Sequence, residues 1–142
     1  MDPTIKEKMK IYFAASIRGG RDYIREYKAI ISQLSTFGKV LTEHIAENKL
    51  DDLGENICDA TIYKRDTGWL RESDIIVAEV TQPSLGVGYE IALGELLGKR
   101  IICLFKQKSG NLSAMIKGNR KLEVLEYTSV DELPAIFKQV FQ

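Results

Sequence analysis

The sequence predicts a single α/β domain: a doubly wound parallel sheet of about five strands with helices on its faces. Three observations point there. Short runs rich in Ile and Val alternate with longer stretches of helical spacing, no internal repeat or low-complexity tract breaks the alternation, and a 44% hydrophobic content over 142 residues supplies one core. The domain is expected over residues 9–142, preceded by a flexible polar segment at 1–8.

Met9 to Ala14 reads as a buried first strand, ending at Ala15-Ser16. Residues 21–36 follow as a helix with Tyr23, Tyr27, Ile30, Ile31 and Leu34 on one stripe, and Gly38 stands where a C-cap belongs. Val40-Leu41-Thr42 is a short second strand. From Glu43 to Glu55 the pattern weakens into a long acidic loop with one helical turn, a kind of connection that often carries function. Residues 60–72 return to helical spacing with Ile62, Asp66, Trp69 and Leu70. Asp74 to Val80 is the third strand, apolar enough to be covered on both faces, and Pro83-Ser84 ends it before a helix over 86–98. Residues 100–105 and 122–127 are the last two strands. Ser129-Val130-Asp131-Glu132 is a capping box opening a final helix whose buried face is Leu133, Ile136, Phe137, Val140 and Phe141.

An alternation of this kind is Rossmann-like or flavodoxin-like, and such sheets bind ligands beyond the carboxyl ends of their strands. Two of those ends carry unusual loops: Ser16-Ile17-Arg18-Gly19-Gly20 after the first strand and the 81–88 segment after the third. If the two strands are neighbours, the loops meet in one crevice. Each offers small residues at a helix start, where bare N–H groups suit an anion, and Arg18 adds a fork-shaped cation. Neither is a dinucleotide fingerprint or a phosphate-binding P-loop, because the glycine spacing is wrong and no lysine follows. An ordinary turn with a surface arginine is the plainer reading of the first.

Glu90 is placed in the first turn of the helix beside the second loop, either as a reactive carboxylate or as an acid favoured there by the helix dipole. Asp66 shares an apolar stripe, which is costly for a carboxylate unless it is paired or used. Together they make two carboxyl groups near one crevice, the arrangement that glycoside cleavage needs; a buried salt bridge to an arginine is the alternative for Asp66. Tyr12, inside the first strand, either reaches such a carboxylate or fills the core. His44 is the only histidine, and no triad pattern surrounds it.

Twenty basic and twenty acidic residues cancel, which excludes the electrostatic footprint of a general binder of polymeric nucleic acid. No apolar run reaches the length of a membrane span, and the N-terminus lacks a signal peptide's apolar region. Cys58 and Cys103 lack metal-ligand spacing and read as free thiols of a reducing compartment, so an intracellular protein, cytoplasmic or nuclear, without metal or cofactor is expected.

Five stretches together resemble the 2'-deoxynucleoside 5'-phosphate N-hydrolase family of the nucleoside 2-deoxyribosyltransferase superfamily, over nearly the whole chain beyond residue 9. They are Tyr12 to Gly20, Leu41 to His44, Asp66 with Trp69, Val77 to Glu90, and Leu112 to Ile116. The resemblance implies cleavage of the N-glycosidic bond of deoxynucleoside monophosphates to free base and 2-deoxyribose 5-phosphate through a glycosyl-enzyme intermediate. It makes Glu90 the nucleophile, Asp66 the group that helps the base leave and water attack, and Tyr12 the residue that orients Glu90. Ser16, Arg18, Gly20 and Ser84 would hold the 5'-phosphate, joined by Ser113 from the other subunit of a homodimer, with Ile17 and His44 on the base side. Relatives often carry His-Glu-Gln where this chain has Tyr63-Lys64-Arg65, a departure that bears on base preference. A deoxyribosyltransferase, a ribonucleoside monophosphate N-hydrolase and a non-catalytic nucleotide-binding module are the competing readings.

Overall fold

The computed structural model describes residues 8–17, 23–46 and 57–142. Arg18, Gly19, Gly20 and most of the acidic loop lie outside the described residues, as does the segment expected to be flexible at 1–8, apart from Lys8. In chain order the elements are β1 (Lys10–Ala14), α1 (Ile24–Leu34), β2 (Lys39–Val40), α2 (Asp59–Glu72), β3 (Ile75–Glu79), α3 (Leu85–Leu96), β4 (Arg100–Lys106), α4 (Ala114–Lys117), β5 (Glu123–Tyr127) and α5 (Leu133–Val140). Single 3₁₀ turns lie at Glu43–Ala46 and Val130–Glu132.

All five strands are parallel, in the order β2-β1-β3-β4-β5. β1 therefore lies beside β3, with Tyr12 opposite Ile76 and Ala14 opposite Ala78. The strand order reverses between them, which opens the crevice beyond their carboxyl ends. Because alternate side chains leave a strand on opposite faces, Ile11, Phe13, Ile75 and Val77 pack under α1 and α5. Tyr12, Ala14, Ile76 and Ala78 pack under α2 and α3.

Several boundaries differ from the sequence reading for local reasons. β2 ends at Val40, because Thr42 replaces the ladder with its side chain: its Oγ1 accepts from the Phe13 N–H at 2.9 Å and donates to the Phe13 carbonyl at 2.6 Å. Gly38 is not a C-cap. α1 closes at Ser35, and a Cβ at Gly38 would stand 2.3 Å from the Met9 carbonyl oxygen, so glycine is needed for close approach to β1. Gly94 does the same on α3, where a Cβ would meet Ile76 Cδ1 at 2.2 Å, and its absence lets the helix sit down on β3. Ser129 caps the 3₁₀ turn, accepting from the Asp131 N–H, while the Glu132 carboxylate accepts from Thr128 rather than closing a capping box on Ser129. α5 starts one residue later with a proline in its first turn.

Candidate active site

Beyond the carboxyl ends of β1 and β3 lies a crevice of about 1100 Å³, walled by α2, α3 and the start of α4. Ile17, Asp66, Ser84, Glu90 and Ser113 line it, so elements far apart in sequence deliver their side chains to one space.

Glu90 is in the second turn of α3, not the first. The helix begins at Leu85, and Ser84 is its N-cap, with Oγ accepting from the Val87 N–H at 3.3 Å. One turn further in, Glu90 projects over the sheet and meets Tyr12, which is buried in β1 and whose hydroxyl donates to Glu90 Oε2. Burial pushes the Glu90 carboxyl up to about 7; the negative charge of Asp66 adds to this, and the Tyr12 hydrogen bond works against it. The Tyr12 hydroxyl is itself held far above its ordinary range, by burial first and then by the Glu90 charge. A carboxylate poised near neutrality, bonded to a phenol that stays protonated, has the makings of a positioned nucleophile or base.

Asp66 reaches the crevice from α2, half-buried as its apolar stripe foretold, and it is paired with Arg65, whose Nε donates to Oδ1 at 2.9 Å. A salt bridge to an arginine is the alternative that the sequence offers for Asp66, and that arginine is Arg65, its own neighbour in the chain. Its guanidinium lies 4.8 Å from the centre of the Trp69 ring, and its Nη2 is 3.2 Å from His44 Nε2. The spacing of Arg65 and Trp69, one helical turn apart, was the signal available. His44 sits in the 3₁₀ turn after β2, tilted against Trp69 with ring centres 5.7 Å apart, and is not among the described residues lining the crevice.

The two anion loops are only partly described. Ser16 is fully buried, and its Oγ has no hydrogen-bond partner among the described residues; Arg18 and Gly20 fall outside them. Ser113 caps α4, accepting from the Met115 N–H at 3.3 Å, and lines this chain's own crevice. One carboxylate missed in the sequence, Glu79, ends β3 on the opposite face. Its side chain accepts from the Thr81 N–H at 2.6 Å and from the Tyr127 hydroxyl, and so fixes the start of the loop that leads to Ser84. Burial raises the Glu79 carboxyl above its ordinary range.

Both cysteines are free, Cys58 exposed and Cys103 buried in β4. Among the described residues, no group of three or more His, Cys, Asp or Glu side chains could hold a metal ion, and no helix is long and apolar enough to cross a membrane.

Residues 11–124 match the family model described as nucleoside 2-deoxyribosyltransferase. A 5-hydroxymethyl-dUMP N-hydrolase of Danio rerio is 48% identical over 139 residues, covering 94% of this chain and 96% of that one. The Mus musculus protein of the same name is 46% identical over 138 residues, covering 93% and 79%. A Nematostella vectensis protein provisionally named 2'-deoxynucleoside 5'-phosphate N-hydrolase 1 is 48% identical over 132 residues, covering 89% and 90%. Among solved structures, a Clostridium botulinum CMP N-glycosidase superposes with a TM-score of 0.64 over 92% of this chain and 98% of that one; at 17% identity it bears on the fold alone.

Proposed function

The chain belongs to the nucleoside 2-deoxyribosyltransferase family, and from that premise we propose that it is an N-glycosidase acting on 2'-deoxynucleoside 5'-monophosphates. It releases the free base and 2-deoxyribose 5-phosphate. The observation that carries this reading is the Tyr12–Glu90 hydrogen bond inside the crevice that Asp66 also lines.

In the first step ionised Glu90 attacks C1' as the C1'–N bond breaks, its electron pair leaving with the base, which takes a proton from solvent. Water then attacks C1' of the glycosyl ester, Asp66 takes the water's proton, and Glu90 departs as a carboxylate. Tyr12 holds one oxygen of Glu90 throughout and so sets the direction of the other. Deoxyribose has no 2'-hydroxyl to grip, so binding energy must come from the remote phosphate. Ser16 supports that part: its buried hydroxyl has no partner among the described residues, and such a group costs about 1–3 kcal/mol unless something satisfies it, as a phosphate oxygen would. Ser84 at the start of α3, with Arg18 and Gly20 from the first loop, completes the proposed phosphate cradle; Ile17 stands for the base side, with His44 behind Arg65 rather than in the crevice wall.

A homodimer belongs to the same proposal. Leu85, Tyr89 and Leu96, spaced to share one face of α3, are 98%, 53% and 83% exposed, and Met115 beside Ser113 is 82% exposed. An apolar stripe of this kind on a small domain marks an interface, and a second copy seated on it would bring the partner's Ser113 towards the crevice.

The test is a substrate panel of the common deoxynucleoside monophosphates, their nucleosides and the matching ribonucleotides, with free base measured. Release from the deoxynucleoside monophosphates alone supports the reading. Equal release from unphosphorylated nucleosides, or transfer to a second base in preference to water, would replace it with a deoxyribosyltransferase.

A further inference from the structure

We propose that Arg65 is a specificity-determining residue of this site, favouring bases that depart as anions over bases that depart after protonation; the inference rests on the N-glycosidase reading above. Arg65 is held from three directions. Asp66 Oδ1 accepts from its Nε at 2.9 Å, the Trp69 ring lies under its guanidinium at 4.8 Å, and His44 Nε2 stands 3.2 Å from its Nη2. A guanidinium has no lone pair to offer, so His44 Nε2 accepts in this contact. Trp69 and Asp66 belong to α2 and His44 to the turn after β2, so the cation is tied to two elements and has one place to be. Only a quarter of its side chain is exposed, as is that of Asp66. The influence of Arg65 extends to the reacting end of the site, since its positive charge acts on the Tyr12 hydroxyl against the negative charges of Glu90 and Asp66.

The chemistry of the departing base gives this cation its consequence. When C1'–N breaks, both electrons go to the base nitrogen. An oxopyrimidine with an acidic N–H can leave as its anion and take a proton from solvent afterwards, whereas a purine leaves more readily as a neutral base after its imidazole ring has been protonated. A lone carboxylate beside the base opposes the first route and assists the second. Arg65 is not among the described residues that line the crevice and acts through Asp66, which is. Paired with Arg65, the Asp66 carboxylate is balanced, so negative charge growing on the base meets a neutralised pair where it would otherwise meet a bare carboxylate, and a protonated purine loses the support that a bare carboxylate would give it. For charges several ångströms apart in a partly screened site, the discrimination should be about ten- to a hundredfold.

The experiment compares wild type, Arg65→Gln and Arg65→Lys on 5-substituted deoxyuridine monophosphates graded by the acidity of the free base, together with dAMP and dGMP. The readout is kcat/KM and its dependence on base acidity. Within one preparation, the ratio between substrates does not depend on the folded fraction, so a poorly folding variant still gives an answer. Arg65→Gln should lower the pyrimidine rates about ten- to a hundredfold, most for the least acidic bases, and leave the purines within about threefold. Arg65→Lys keeps the charge and should retain much of the pyrimidine preference. Equal loss on every substrate, or a larger loss on purines, would overturn the assignment while the N-glycosidase reading stands. Absence of base release from any deoxynucleotide by the wild-type protein would overturn both.

Discussion

Replacing Glu90 by glutamine should make the protein inactive and, above neutral pH, more stable. The Glu90 carboxyl titrates near 7 in the folded protein, because burial and the Asp66 charge resist its ionisation, against an ordinary value of 4.5. Between those two values the folded state binds more protons than the unfolded chain. Stability from this group is therefore fully present below about 4.5 and is lost as pH climbs through about 7. At about 1.4 kcal/mol per pH unit the loss reaches about 3 kcal/mol, and water in the open crevice reduces it to the range of about 1–3. Glutamine keeps the shape and can still accept from Tyr12, but it has no proton to lose. Thermal melts of wild type and Glu90→Gln from pH 5 to pH 8.5 should therefore diverge. The variant should lie roughly 3–9 °C higher at the alkaline end, at about 3 °C per kcal/mol for a domain of this size. Taking the difference cancels other groups that titrate, Glu79 among them. Parallel curves across the range would refute the claim that folding holds this carboxylate in an unfavourable charge state, and with it the reason given for its reactivity.

The dependence of kcat/KM on pH should rise through about 7 and then level, as Glu90 ionises. Tyr12→Phe removes the hydrogen bond that favours the ionised form, and should move that limb up by about one to two pH units; an unmoved limb would detach Tyr12 from Glu90. Asp66→Asn should slow turnover by at least about a hundredfold for poor and activated leaving groups alike, while the first equivalent of base is still released in a burst; a steady-state rate near that of the wild type would remove its role on the water. Arg18→Ala and Ser84→Ala should each raise KM for a deoxynucleoside monophosphate about tenfold or more while changing nucleoside cleavage little, since each contact bears on the phosphate alone. Leu85→Asp with Leu96→Asp should give a monomer by sedimentation, and a dimer that survives both changes would place the interface elsewhere.

The frame of this fold was readable because strands of a parallel sheet are covered on both faces. Ile75-Ile76-Val77-Ala78 and Ile101-Ile102-Cys103-Leu104 are apolar without alternation, which distinguishes them from the striped helices between. The sequence leaves the adjacency of β1 and β3 as a condition for one shared crevice, and the strand order meets it. Boundaries were harder where a side chain does backbone work, as Thr42 does for β2, and where a glycine answers a distant crowding, as Gly38 answers Met9. Tyr12 reaching Glu90 could be reasoned from a buried phenol's need for a partner. That Asp66 pairs with an arginine was one of its two readings, but that the arginine is Arg65 was not legible, because adjacent residues on a helix diverge by about 100° and the contact depends on the arginine folding back over Trp69. Glu79 escaped for a related reason: a carboxylate ending an apolar strand looks exposed until Thr81 and Tyr127 are seen to close over it.

The central claim is that Glu90 bonds to C1' in the course of base release, and the configuration of a trapped product reports on it directly. Cleavage in the presence of methanol yields a methyl glycoside of 2-deoxyribose 5-phosphate, which unlike the free sugar does not anomerise, so its configuration can be read by NMR. Two displacements, the first by Glu90, predict the β-anomer, with the configuration of the substrate retained. The α-anomer would mean a single displacement from the opposite face, and Glu90 would then be no nucleophile.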